Sequence, residues 1–260
     1  MTRKPGTSRE TESLDWKFKA ATASYVMVHT TTLIIYASTL YFVFAKLNMP
    51  PSLSKFTKSP FNPGQLKFLT IWGLIIQVIF FLICILNDVA GTNKLNPKKR
   101  PLVRRLKDYI HASLAFPIAM FVGVTFWALM FVDRELVLPK ALDLYFPWWL
   151  NHIMHTMIMV STLLEMLVAP RQYPKRSRGL TGLLIFMLSY LVWMHVIYAK
   201  SGIWVYPVME VLSWPLRIAF FLVLFALATV LYFVGEGIDN VFWGSANKSV
   251  GKPSKKRKSK

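Results

Sequence analysis

A threonine in "LKFLTIW" (Thr70) and two histidines in "WWLNHIMHTM" (His152 and His155) are the residues of this sequence best suited to chemistry. A hydroxyl and an imidazole brought together make a nucleophile and its base. Imidazole titrates near neutrality and can take the proton whose presence makes threonine a poor nucleophile. Attack on an ester would then give an acyl-enzyme. His152 and His155 lie three apart, on neighbouring parts of one helix face, a spacing that also suits two metal ligands. His195 or Glu135 would complete a zinc set. A single Cys and no HExxH motif or Cys pair give the metal little support. The alternative for each residue is a hydrogen bond without chemistry: threonine bonds its own helix backbone, and a buried histidine links two helices.

These residues sit inside long apolar segments. Of the 260 residues 54% are hydrophobic, and six blocks are long enough to cross a bilayer, which takes about 20 residues. They fall near 20–45, 66–90, 109–132, 146–169, 179–199 and 215–238. The expected fold is therefore all-α: a polytopic membrane protein with six transmembrane helices in one domain, 20–243. Residues 1–19 and 244–260, polar and charged, are expected to be disordered tails. No signal peptide is read, since the first apolar block is too long for an h-region. Pro117 should kink the third span. Cys84, alone inside the second span, is a packing residue.

The net charge of +19 raises nucleic acid as a partner, but its distribution argues for a bilayer instead. With spans at these positions, 23 of the 31 Lys and Arg fall on the side of the two tails and the 2–3 and 4–5 loops. The positive-inside rule puts that side, and both termini, in the cytosol. The clusters "NPKKRPLVRRLK" and "KPSKKRKSK" are expected to touch anionic headgroups. The final "KRKSK" resembles a dilysine retrieval signal, which implies the endoplasmic reticulum. The sequence is silent on oligomeric state.

This topology sorts the polar residues by depth. The second and fourth spans run the same way, from lumen to cytosol. Thr70 lies about 6 Å into its span and His155 about 13 Å into its own, at 1.5 Å per residue, so the two can share a leaflet. His195, Asp133, Glu135 and Glu210 lie on the same side. Asn151 and His152 are candidate oxyanion donors, and Asp133 or Glu135 candidate acidic partners for His155. The 5–6 loop, with Trp204 and Tyr206, is short and aromatic and should fold over the helices as a lid. Glu165, Asn87, Asp88, Glu236 and Asp239 fall toward the cytosolic face, where snorkelling or pairing with loop cations is expected. Because polar residues gather at the two faces, an ion pathway through the middle is the weaker reading. A non-catalytic lipid-binding or regulatory membrane protein using the same cavity is the leading rival to an enzyme.

The runs "LKFLTIWGLIIQVIFFLICILND", "LAFPIAMFVGVTFWALMFVDRELVLPKALD", "PWWLNHIMHTM", "RQYPKRSRGL" and "GIWVYPVME" together resemble the androgen-induced / androgen-dependent TFPI-regulating protein family. The likeness spans about residues 25–240. It implies a six-span threonine hydrolase that cleaves fatty acid esters of hydroxy fatty acids without a cofactor. The family's "K-aromatic-L-T" run, matched by "KFLT", implies Thr70 as nucleophile. The second histidine of "NHxMH" implies His155 as its base. The chain departs from the family in a longer N-terminus, a longer 1–2 loop and a basic C-terminal tail, which bears on which lipid ester enters.

Overall fold

In hydrocarbon every backbone polar group must be satisfied within its own segment, and the apolar blocks of this chain accordingly fold as helices. The computed structural model describes residues 8–47, 55–59, 61–94, 97 and 99–248, and these contain no strand. Six helical rods follow one another. The first two are α1 (Ser8–Ala45) and α2 (Leu69–Ala90). The third is α3 (Leu102–Ile110), a π turn (His111–Ala115) and α4 (Phe116–Val132); the fourth is α5 (Trp148–His152), a π turn (Ile153–Met157) and α6 (Ile158–Val168). The fifth is α7 (Arg176–Ser201), and after the short α8 (Val208–Val211) comes α9 (Trp214–Lys248). Five stretches, Thr22–Ala45, Leu69–Ala90, Leu102–Val132, Arg176–Ser201 and Trp214–Gly244, are long and apolar enough to cross a membrane. The α5–α6 rod is less apolar because it carries Asn151, His152, His155 and Glu165. Ile34, Leu82, Phe131, Leu188 and Leu222 stand exposed on outer faces, as side chains that meet lipid must. The fold is that of an all-helical membrane protein.

Three boundaries differ from the sequence expectation. Residues 8–19 were expected to be disordered, yet α1 begins at Ser8; "SRETESLDWKFK" is rich in helix formers, and extending a nucleated helix avoids the cost of a first turn. At the other end α9 continues past residue 244 to Lys248 for the same reason. The rest of the tails, including the dilysine-like end, lies outside the described residues. The third rod starts at Leu102 rather than near 109, because Arg104, Lys107 and Asp108 are buried by partners on other elements. Pro117 is accommodated just after a π turn, which widens the helix where its missing N–H and its ring disturb the preceding carbonyls. Gln77 of α2 donates to the Ala115 carbonyl of that turn at 2.8 Å.

α1 packs along α2; α2 lies against the third rod, whose α4 meets α6 and α9. Between helices in lipid the drive is close packing. Gly123 of α4 shows how close: a Cβ there would fall 2.5 Å from the His155 carbonyl and onto the Met159 sulfur. The second π turn, which carries His155, is thereby pressed against α4.

At the end of the bundle formed by the C-termini of α2 and α6, where acids were expected to snorkel or to pair with loop cations, they pair, and the pairs are buried in one ionic cluster. His29 of α1 reaches Asp88 with Nδ1 (2.6 Å) and Glu165 with Nε2 (2.8 Å). Carboxylates accept only, so both ring nitrogens donate and the ring is an imidazolium. Lys107 pairs with the other Glu165 oxygen at 2.9 Å, and Arg171 donates to the Glu165 carbonyl and pairs with Asp239 of α9 at 3.5 Å. Arg104 bonds Asp108, the Thr92 carbonyl and the Pro170 carbonyl. Four cations thus face four carboxylates at low exposure, and the cluster joins α1, α2, α3, α6 and α9. Glu236 makes its pair with a loop cation at the surface, with the exposed Arg176.

Candidate active site

The opposite end of α2 carries Thr70, in its first turn. The Thr70 hydroxyl lies 3.3 Å from His155 Nε2. His155 Nδ1 lies 3.0 Å from the Asn151 main-chain carbonyl and 2.8 Å from Asn151 Oδ1. A main-chain carbonyl can only accept, so Nδ1 carries the proton and Nε2 holds a lone pair toward the Thr70 hydroxyl. The same reasoning turns the Asn151 amide so that its oxygen faces the ring. Phe126 of α4 stacks on the imidazole, centroids 3.6 Å apart and planes 8° apart, which fixes the ring plane. His155 sits within a π turn, where the extra residue lets its ring and the Asn151 side chain meet on one side of the rod.

The other candidates fall elsewhere. His152 bonds Thr156 at 3.2 Å and packs on Trp127 and Trp148, away from Thr70. His195 bonds the Leu191 carbonyl of its own helix and lies between Trp204 and Phe221. Asp133 caps the turn that follows α4 by accepting from the Glu135 N–H, while Glu135 accepts from the Lys140 N–H. Neither acid is the partner of His155; Asn151, expected as an oxyanion donor, holds that place. Its Nδ2 is buried and, among the described residues, has no partner. The four residues weighed for zinc do not converge. His29, Cys84 and Glu165 do come together, but ion pairs already occupy both His29 nitrogens, and Lys107 and Arg171 crowd Glu165.

Two cavities meet at Thr70, sharing Thr70, Phe126, Val137 and Tyr206 in their walls. The first, of about 110 Å³, is lined by apolar side chains of α4, α7 and α9, among them Phe121, Met187, Leu191 and Phe225. The second, of about 210 Å³, holds His155 and Asn151 together with Gln65, Lys67, Trp204 and Glu210. The segment between α7 and α9 roofs both. Trp204, Val205, Val208 and Met209 are buried, and Arg217 lies over the Trp204 ring at 5.0 Å. Tyr206 anchors the roof: its hydroxyl accepts from the Leu69 N–H at 3.0 Å and bonds the Tyr190 hydroxyl, which in turn donates to the Lys67 carbonyl. Burial pushes the Tyr206 phenol above its ordinary pKa, so it stays an O–H group at neutral pH. It satisfies one of the first-turn N–H groups that α2 cannot satisfy internally.

An intramembrane hydroxyl, an imidazole with its free nitrogen toward that hydroxyl, and an amide behind the imidazole have the arrangement of a nucleophile–base pair. The chain matches the model of the FAR-17a/AIG1-like protein family over residues 24–240. It is 39% identical over 186 residues to androgen-induced gene 1 protein of Homo sapiens, covering 69% of this chain and 78% of that one. To the androgen-dependent TFPI-regulating protein of Mesocricetus auratus it is 39% identical over 193 residues, 74% of this chain and 83% of the relative. A membrane protein of Schizosaccharomyces pombe is 23% identical over 171 residues, 65% and 71% of the two chains. No solved structure matches it. The chain belongs to the FAR-17a/AIG1-like family.

Sequence reasoning missed Lys67, Phe126 and the orienting role of Asn151. For Lys67 the signal was present: a lone cation one turn before the threonine in an apolar run. For Phe126 there was none, since it is one phenylalanine among nineteen.

Proposed function

We propose that this protein is an integral membrane ester hydrolase with Thr70 as nucleophile and His155 as base, acting on fatty acid esters of hydroxy fatty acids. The observation that carries the reading is the 3.3 Å approach of the Thr70 hydroxyl to His155 Nε2, with Nδ1–H held by Asn151. In the reaction Nε2 takes the Thr70 proton as the hydroxyl oxygen attacks the ester carbonyl. The tetrahedral oxyanion forms at the N-terminus of α2, where the helix dipole favours negative charge; the Leu69, Ile71 and Trp72 N–H groups there are already bonded, and the unpartnered Asn151 Nδ2 is the side-chain donor. Collapse expels the alcohol, which receives the proton from Nε2, and leaves the acyl group on Thr70. Water, deprotonated by His155, then releases the fatty acid. The ester enters from the bilayer, its acyl chain in the apolar cavity. From the charge count we place this site in the lumenal half and the ionic cluster in the cytosolic half.

Labelling with a fluorophosphonate tests the reading directly. The wild-type protein in membranes is expected to be modified at Thr70, and Thr70→Ala to take no label. A wild type that never reacts would favour the lipid-binding alternative, and labelling that survives in Thr70→Ala would deny Thr70 the role of nucleophile.

Asn151→Leu removes the side-chain acceptor but leaves the main-chain carbonyl on Nδ1. Its kcat on a lipid ester is expected to fall about ten- to a hundredfold, short of the roughly 10⁴-fold seen when an orienting acid is lost and the tautomer is wrong. Single-turnover rates in proteoliposomes, normalised to labelled enzyme, measure this; an unchanged rate would deny Asn151 its orienting role.

A further inference from the structure

Lys67 is an anomaly in the second cavity. It precedes α2 in the turn Gly64–Lys67, is only 7% exposed, and directs Nζ at the rings of Phe56 (4.7 Å) and Phe68 (5.0 Å). Among the described residues no carboxylate pairs with it. An ammonium out of water needs an anion or several strong acceptors, and two ring faces supply a smaller part of that. Burial accordingly lowers the Lys67 pKa, with no neighbouring acid to raise it. The contrast with Lys107 is informative: that lysine is also buried but lies 2.9 Å from Glu165. Lys67 is also three residues from Thr70, so the two Cα atoms are within about 11 Å, and both side chains line one cavity. Gln65 adds an amide to the same wall, and Glu210, the acid on this cavity, is exposed.

We propose that Lys67 is a specificity-determining residue that binds a carboxylate carried by the alcohol half of the ester. The inference rests on the hydrolase reading above. The two cavities divide the substrate: the one without a cation takes the acyl chain, and the one with Lys67 takes the half that leaves with the hydroxyl. A single ammonium with one amide suits a singly charged carboxylate rather than a phosphate dianion. An ion pair replacing bulk water in this apolar setting strengthens binding by about tenfold or more. Neutral esters of the same chain length enter the same space and leave Lys67 unpaired.

The test compares a fatty acid ester of a hydroxy fatty acid with the methyl ester of the same molecule, at pH 8. Wild type is expected to show kcat/KM at least tenfold higher for the free acid. In Lys67→Met that ratio is expected to fall to near one, and in Lys67→Arg to stay high. Because both substrates are read on the same enzyme, partial loss of folded protein cancels from the ratio. A ratio near one in wild type, or an unchanged ratio in Lys67→Met, overturns the proposal, as does a stronger preference for a lysophospholipid of equal chain length. Binding to Thr70→Ala supplies a second readout: the free acid is expected to bind at least tenfold tighter than the methyl ester. Equal affinities overturn the role of Lys67 even if the Lys67 variants are not recovered. Failure of the hydrolase reading shows separately, as Thr70→Ala protein that still turns over ester.

Discussion

Thr70→Ala and His155→Ala are each expected to lower kcat for a lipid ester by at least about 10³-fold, with the double variant no slower than either single. The two groups act as one unit. Without Nε2 the hydroxyl keeps its proton, and without the hydroxyl the imidazole has nothing to activate. Losses in such units are therefore strongly non-additive. Thr70→Ser, which keeps the hydroxyl at the N-terminus of α2, is expected to stay within about tenfold of wild type. The Thr70→Ala loss should not come from unfolding, since Thr70 is half-buried and its side chain bonds His155. Turnover of a defined ester in proteoliposomes, beside the apparent unfolding temperature of each variant, separates the two causes. Independent, multiplying effects of the two substitutions would sink the pairing, and full activity in Thr70→Ala would sink the mechanism.

How much of this was readable beforehand varies with the kind of signal. The helices were, because about 20 consecutive apolar residues have few other uses, and the structure finds helix in every expected block. Counting charges and residues along two parallel spans showed that Thr70 and His155 could share a leaflet, and the family resemblance pointed to the same two side chains; the structure brings them within 3.3 Å. Rotation about the helix axis was not readable. His152 and His155 are three apart and looked alike, yet one faces Thr156 and the other Thr70. A π turn at Ile153–Met157 adds a residue that no regular periodicity shows, and with it came the unforeseen bond to Asn151. The acids at the end of the third span were plausible partners for His155 by leaflet alone, but Asp133 and Glu135 are spent on the turn that follows α4. The ionic cluster was hidden for a related reason. Glu165, His29 and Lys107 come from segments far apart in sequence, and each alone is indistinguishable from a snorkelling residue.

That cluster carries the largest expected effect on stability. Glu165→Ala should destabilise the protein by about 3–5 kcal/mol, because it leaves buried Lys107 without a carboxylate and takes from His29 and Arg171 one of the two that each faces, Asp88 and Asp239 remaining. The pair energy is not the source of this figure. Removing a whole buried ionic group for apolar residues is often neutral, whereas removing one member leaves the others uncompensated. Glu165 touches more cations than any other acid in the cluster and ties α6 to α1 and α3, so its loss also unpins three elements at once. Glu236→Ala is the control. Its partner Arg176 is 67% exposed, and an exposed pair is worth about 0–1 kcal/mol. Apparent unfolding temperatures in detergent should therefore fall sharply for Glu165→Ala and barely for Glu236→Ala; equal shifts would remove the cluster as the clamp at this end. Glu165 lies near the far end of the bundle, about 27 Å along α2 from Thr70 by the distance from Thr70 to Asp88. Enzyme that remains folded should then keep its kcat. A fall in both stability and kcat per labelled site would mean that the two ends of the bundle are coupled, which nothing in the packing between them requires.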